Sequence, residues 1–98
     1  MLDARAVAAV EQAHRDHWSN VLAATIRVTG DLDLAEECAQ EAYARALGAW
    51  PRQVPDNPGG WLATAARRLA LDRHRRAITA RRALPRLAIE APESAEPE

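Results

Sequence analysis

The sequence predicts an all-α fold: a three-helix bundle followed by a disordered acidic C-terminal tail. Apolar residues recur at helical spacings in three segments, turn-forming residues separate these segments, and no strand-like alternation of apolar and polar residues appears. The 98 residues are enough for one domain. We place this helical domain at residues 1–82 and an acidic, proline-containing linker or tail at residues 83–98.

The first helix is predicted over about residues 4–29. It is expected to end at Gly30, because glycine commonly occupies the position just after the last helical turn. Its inward stripe, at spacings of three and four, consists of Val7, Val10, His14, Trp18, Val21, Leu22, Thr25 and Val28.

The second helix is predicted to start at Asp33, which precedes Glu36 by three residues in an Asp variant of the capping box, and to end before Pro51. Its small and apolar stripe consists of Ala35, Ala39, Ala42, Tyr43, Ala46, Leu47 and Trp50. Its acidic stripe consists of Asp33, Glu36, Glu37 and Gln40, flanked by Glu41. We expect this stripe to lack the basic partners at i+4 that a solvated helix face usually carries. A solvated face without a binding role is the alternative.

The third helix follows a loop at residues 51–60, which is predicted from turn chemistry alone. Asn57 before Pro58 is typical of an N-cap with proline at the first helical position, and the helix is expected to run to about Thr79. The residues expected in the core are Trp61, Leu62, Ala65, Ala66 and Leu69, with base stacking as the alternative for Trp61, which borders the loop. The opposite face carries Thr64, Arg67, Arg68, Leu71, His74 and Arg75.

Charges are sorted by sign along the chain, although the net charge is only −1. Residues 31–41 carry five acids and no base, residues 52–86 carry nine arginines against two acids, and residues 87–98 carry four glutamates. Patches of both signs favour one basic and one acidic partner. The arginine-rich face favours phosphate neutralisation and stacking on unpaired bases, with a purely solubilising role as the alternative.

Several function classes find no support in the sequence. No Ser–His–Asp order, glycine-rich phosphate loop or pair of carboxylates in a plausible pocket appears, so we expect no enzyme and no cofactor. His14, His17 and Cys38 lack the spacings of metal sites, so we expect no metal, with a small metal-binding or catalytic domain as an alternative. The single cysteine and the lack of an apolar run of about 20 residues predict a cytoplasmic protein without a membrane span.

Two strings of the sequence stand out: TGDLDLAEECAQEAYARALGAW, which begins at Thr29, and WLATAARRLALDRHRR, which begins at Trp61. Together they resemble region 2 of bacterial sigma factors, most closely those of the extracytoplasmic-function group. The resemblance covers about residues 7–82. The matching residues include Thr29, Gly30, Asp31, Ala35, Glu36, Gln40, Glu41, Trp61, Leu62, Ala66, Arg67, Asp72, Arg75 and Arg76.

The resemblance implies a sigma-70-family domain for transcription initiation, which docks on core RNA polymerase and recognises and melts the promoter −10 element. The residues implied to bind the clamp helices of the largest polymerase subunit are Asp33, Glu36, Glu37, Gln40 and Glu41. The residues implied to contact the non-template strand of −10 DNA are Asp56, Asn57, Gly59, Thr64, Arg67, Arg68 and Arg75. Family members often carry Arg at the position of Thr64 and Asn at that of Arg68, so the promoter sequence is not carried over.

The chain has no room for region 4, the family's −35-reading domain, and is therefore expected to be one domain cut from a longer protein. An anti-sigma factor or a C-terminal regulatory extension is a further partner that the resemblance allows. The alternative function is a helical protein-interaction adaptor whose arginine-rich face only keeps it soluble. Salt-dependent binding to single-stranded DNA would count against that alternative.

Overall fold

The protein is a bundle of three helices, each packed against the other two. The computed structural model describes the backbone of residues 2–90 and the side-chain surroundings of residues 2–83. The helices are α1 (Ala4–Thr29), α2 (Leu32–Ala49) and α3 (Pro58–Glu90). The predicted all-α, three-helix class is confirmed.

Helix α1 begins and ends as its terminal residues dictate. The Asp3 carboxylate accepts hydrogen bonds from the backbone N–H groups of Arg5 (2.9 Å) and Ala6 (3.1 Å), which have no partner inside the helix. At the other end Gly30 adopts the left-handed conformation (φ 66°) and donates its N–H to the Ile26 carbonyl at 2.7 Å. The predicted end at Gly30 is confirmed.

Helix α2 starts earlier than predicted, because Asp31 rather than Asp33 is its N-cap. The Asp31 side chain accepts from the Leu34 N–H at 3.1 Å, and the Thr29 hydroxyl accepts from the Asp31 N–H at 3.1 Å. Gly30 is left-handed, and Asp31 directly after it has the extended backbone conformation that is typical of an N-cap. Asp33 therefore lies in the first turn, where its charge favours the helix dipole.

Helix α3 begins as predicted and ends later than predicted. The Asn57 side chain accepts from the Gly60 N–H at 3.0 Å, and Pro58 is the first helical residue. The helix continues past Thr79 to Glu90, because alanine and arginine dominate residues 77–83 and are strong helix formers. The first residues of the predicted tail are thus helical, while residues 91–98 lie outside the described part.

The core consists largely of alanines, which let the helix backbones approach closely. Among the larger side chains, Leu62, Leu69 and Trp50 are buried as expected, whereas Trp18 and Trp61 are only partly buried. The main cluster of buried residues is Ala6, Ala13, Val21, Ala39, Ala42, Tyr43, Ala46, Trp50, Leu62 and Ala66. This packing fixes α2 and the start of α3 side by side, which sets the geometry of both candidate faces.

Candidate functional site

The acidic face is defined here as Asp33, Glu36, Glu37, Gln40 and Glu41, on the outer side of α2. The first four side chains are exposed and Glu41 is partly exposed. Their spacing puts them on one side of the helix, while Ala35, Ala39 and Ala42 on the other side are fully buried. The structure therefore brings all five residues to one surface.

Two of these acids carry arginine partners, so the expectation of an unpaired acidic stripe was wrong. Arg73 donates from Nη1 to Glu37 Oε1 at 2.9 Å and from Nη2 to Glu41 Oε1 at 2.8 Å. Arg45, at i+4, donates to the second oxygen of Glu41 at 3.1 Å. Within residues 2–83, Asp33 and Glu36 make no ion pair, so they are the uncompensated charges of this face.

The register of α2 against α3 explains why Arg73 does not belong to the arginine-rich face. The two helices run in opposite directions from the loop at residues 51–57, which places Arg73 beside Glu37 and Glu41. Arg73 therefore turns toward α2 rather than outward, and its side chain is only 31% exposed. One of the seven arginines between Arg67 and Arg82 is thus structural.

The basic face is defined here as the outward side of α3: Thr64, Arg67, Arg68, Leu71, His74 and Arg75. All six side chains are exposed, as the helical spacing predicts. The neighbouring Arg76 is instead paired with Asp72 at 2.8 Å, within the same helix. The three outward arginines therefore present most of the free positive charge on this part of α3.

An open groove of about 660 Å³ lies where the loop, the start of α3 and the end of α2 meet. It brings together Asn57, Thr64 and Arg68, three of the residues predicted to contact DNA. Asp56, Arg67 and Arg75 are exposed but do not line it. The lining consists of Arg45, Ala49, Pro55, Asn57, Gly60, Trp61, Thr64, Ala65 and Arg68.

The groove contains Arg45, which the sequence did not predict as a site residue, and Trp61, for which the sequence favoured a core position over base stacking. Trp61 is expected in the core from its helical spacing, yet it is partly exposed and forms one wall of the groove. It meets the buried Trp50 edge-on, with ring centroids 5.5 Å apart. The position of Trp61 beside the loop was the sequence signal for its place in the groove. The place of Arg45 there depends on how α2 packs against α3, which the sequence does not show directly.

Gly59 has a packing role in this structure. A β-carbon at this position would lie 2.8 Å from Nδ1 of His17, closer than real side chains approach one another. The glycine therefore allows α1 and the first turn of α3 to come together. Gly59 is partly buried against His17 and does not line the groove.

The cysteine and histidines do not converge on a metal site within the described residues. Cys38 is buried, and burial raises the pKa of its thiol; Arg73 opposes this shift, and Glu37 and Glu41 add to it. His14 is exposed and stacks on Trp18, with ring centroids 4.9 Å apart. Burial also raises the pKa of Tyr43, whose hydroxyl donates to the Ala13 carbonyl at 3.4 Å.

The described helices include none that combines the length and apolar character needed to cross a membrane.

Comparison with known proteins identifies the family of this chain. Residues 13–79, about two-thirds of the chain, match the family model for sigma-70 region 2. A probable ECF RNA polymerase sigma factor, SigI of Mycobacterium tuberculosis, is 38% identical over 72 residues, which cover 74% of this chain and 24% of that protein. An uncharacterized protein of Rhizobium meliloti is 45% identical over 56 residues, which cover 56% of this chain and 13% of that protein.

The chain thus spans less than a quarter of the length of these curated relatives. No solved structure matches it.

Proposed function

The chain belongs to the sigma-70 region 2 family, a non-enzymatic sigma-factor domain of transcription initiation, and we propose that it binds two partners through separate faces. The acidic face docks on the clamp helices of the largest subunit of core RNA polymerase. The groove and the basic face hold the non-template strand of the opened −10 element. The observation that carries this proposal is the groove, because it gathers three of the predicted DNA residues around the partly exposed ring of Trp61.

The groove has the composition of a site for an unpaired base. Its volume of about 660 Å³ falls within the range of small-molecule pockets, roughly 300–1,000 Å³. Trp61, Pro55 and Ala65 provide apolar contact surface, and Asn57, Thr64 and Arg68 provide polar groups. Aromatic rings stack on any base, and polar groups at the rim can bond its edge. These features support binding of a single strand rather than a paired duplex.

The basic face supplies the attraction for the DNA backbone. Arg67 and Arg75 are exposed on the same side of α3 as Arg68. Guanidinium groups bind phosphates bidentately and release condensed counterions when they do so. A strand whose base enters the groove has these arginines available for its neighbouring phosphates.

The acidic face suits a basic surface on the polymerase. Asp33 and Glu36 are exposed and carry no ion pair in the described part of the chain, and Gln40 lies one turn beyond Glu36. Glu37 and Glu41 are paired with Arg73, which offsets part of their negative charge. We therefore propose that Asp33, Glu36 and Gln40 make the principal polymerase contacts, with Glu37 and Glu41 at their edge.

Replacing Arg68 by Gln tests the nucleic-acid part of the proposal. The 98-residue chain is bound to core RNA polymerase, and its affinity for a promoter fragment pre-opened across the −10 region is measured over a range of salt concentrations. Arg68→Gln should weaken binding, and it should lower the salt slope by roughly 0.7 if it removes one phosphate contact. If Arg68 meets a base, the slope should hold and the sequence preference should relax.

Arg27→Gln is the matched control, because it removes an equal charge from the exposed last turn of α1. Equal DNA affinity for Arg68→Gln and Arg27→Gln would contradict the proposed DNA site. A chain that binds the polymerase but shows no salt-dependent affinity for DNA would support the adaptor alternative.

A further inference from the structure

Arg45 lies on α2, the helix of the acidic face, yet its side chain lines the groove together with Arg68 and Trp61. The first turns of α3 pack beside the last turns of α2, so the groove has walls from both helices. Its positive charge therefore comes from two elements rather than from α3 alone.

Arg45 is linked to α3 through Glu41. Its Nη2 atom donates to Glu41 Oε2 at 3.1 Å, and the other oxygen of Glu41 accepts from Arg73 at 2.8 Å. Glu41 is thus held between two guanidinium groups, one from each helix. One carboxylate is thus shared by two guanidinium groups, so the positive charge of Arg45 is only partly neutralised and can also attract an anionic ligand.

The Arg45 side chain remains available despite this ion pair. It is 58% exposed, and a single hydrogen bond to Glu41 leaves most of its five N–H donors free. An exposed pair at i, i+4 is weak and does not compete strongly with a phosphate, which an arginine can bind bidentately. The guanidinium group can therefore donate to Glu41 from Nη2 and to a phosphate from its remaining N–H groups.

We infer that Arg45 is a further nucleic-acid contact, which binds a backbone phosphate of the strand whose base occupies the groove. The inference rests on the proposed function, since it requires that the groove receive an unpaired strand. It adds a DNA contact on the helix that otherwise faces the polymerase. Phosphate is the favoured ligand, because the Arg45 side chain is more than half exposed, while Trp61 and Pro55 offer the apolar contacts that suit a base.

The test measures DNA affinity against salt for Arg45→Gln, Arg45→Lys and the control Arg27→Gln, each bound to core RNA polymerase. The probe is a short single-stranded DNA of randomised sequence, compared with a strand of equal length that lacks bases. Arg45→Gln should weaken binding to both probes and lower the salt slope by roughly 0.7, the value for one lost phosphate contact on a single strand. Arg45→Lys should retain most of the affinity, because it keeps the charge.

An unchanged salt slope for Arg45→Gln would overturn the inference, whether or not affinity falls, because a structural or base-specific role leaves phosphate neutralisation intact. Arg68→Gln, measured in the same series, separates this failure from failure of the proposed function. If Arg68→Gln weakens binding while Arg45→Gln matches the control, only the inference about Arg45 is wrong. If neither variant differs from the control, the groove does not bind the strand.

Discussion

Arg73 shows at the scale of single residues how one side chain links the two candidate faces. It stands on α3, the helix of the basic face, but donates to two carboxylates of the acidic face, Glu37 and Glu41, at 2.9 and 2.8 Å. The Arg73 and Glu41 side chains are both only partly exposed, so water screens this pair less than it screens an ordinary surface pair. Charge reversal at Glu37 or Glu41 would therefore alter folding stability together with binding.

Arg73→Gln should lower the free energy of unfolding by about 1 kcal/mol, because it removes two ion pairs that are each worth about 0.2–1 kcal/mol. In a domain of this size, that loss corresponds to a melting temperature lower by about 4–8 °C. Thermal unfolding followed by circular dichroism measures the change. Arg76→Gln is the control, because its pair with Asp72 lies within α3 and is more exposed. Equal melting temperatures for the two variants would refute a bridging role for Arg73.

At the scale of elements, α1 and α3 pack closely enough that Gly59 faces the ring of His17. Gly59→Ala should destabilise the domain, because its methyl group would meet the His17 ring at 2.8 Å. In a His17→Ala background the same change should be neutral or stabilising, since alanine is favoured over glycine in a helix by up to about 1 kcal/mol. Urea unfolding of the two single variants and the double variant measures this coupling. Additive effects would show that the helices do not meet at this point.

Local signals in the sequence were enough to predict most helix boundaries. Gly30 and the Asn57–Pro58 pair act through their own backbone chemistry, so their effects are readable without tertiary structure. The N-cap of α2 was misplaced because the capping-box spacing to Glu36 favoured Asp33, whereas Asp31, directly after the turn at Gly30, is the residue that caps the helix. The late end of α3 reflects helix propensity over residues 77–83, which the proline beyond them obscured.

The candidate site was harder to predict, because it depends on the register between helices. The exposure of Arg67, Arg68 and Arg75 follows from helical spacing on one element. The pair of Glu41 with Arg45 is local, because the two residues lie four apart on α2. The bridge from Arg73 to Glu41 and the place of Arg45 in the groove follow instead from how α2 packs beside α3, which no local pattern encodes. Trp61 lies at the boundary between core and groove, so spacing alone assigned it to the core.

At the scale of the whole molecule, two charged faces of opposite sign occur on a chain whose net charge is only −1. The acidic face belongs to α2 and the basic face to α3, and Arg73 partly neutralises the boundary between them. Such a distribution supports binding to two partners at once, because each face attracts one sign of charge and repels the other. Both contacts should weaken as salt is raised.

The most direct test of this account is the affinity of the chain for core RNA polymerase after charge reversal on the acidic face. Glu36→Lys reverses an exposed charge that has no ion pair in the described part of the chain, and Glu11→Lys makes the same change on the exposed surface of α1. We expect Glu36→Lys to raise the Kd by about five-fold, equivalent to about 1 kcal/mol, while Glu11→Lys leaves the Kd unchanged. Equal Kd values for the two folded variants would contradict docking through this face.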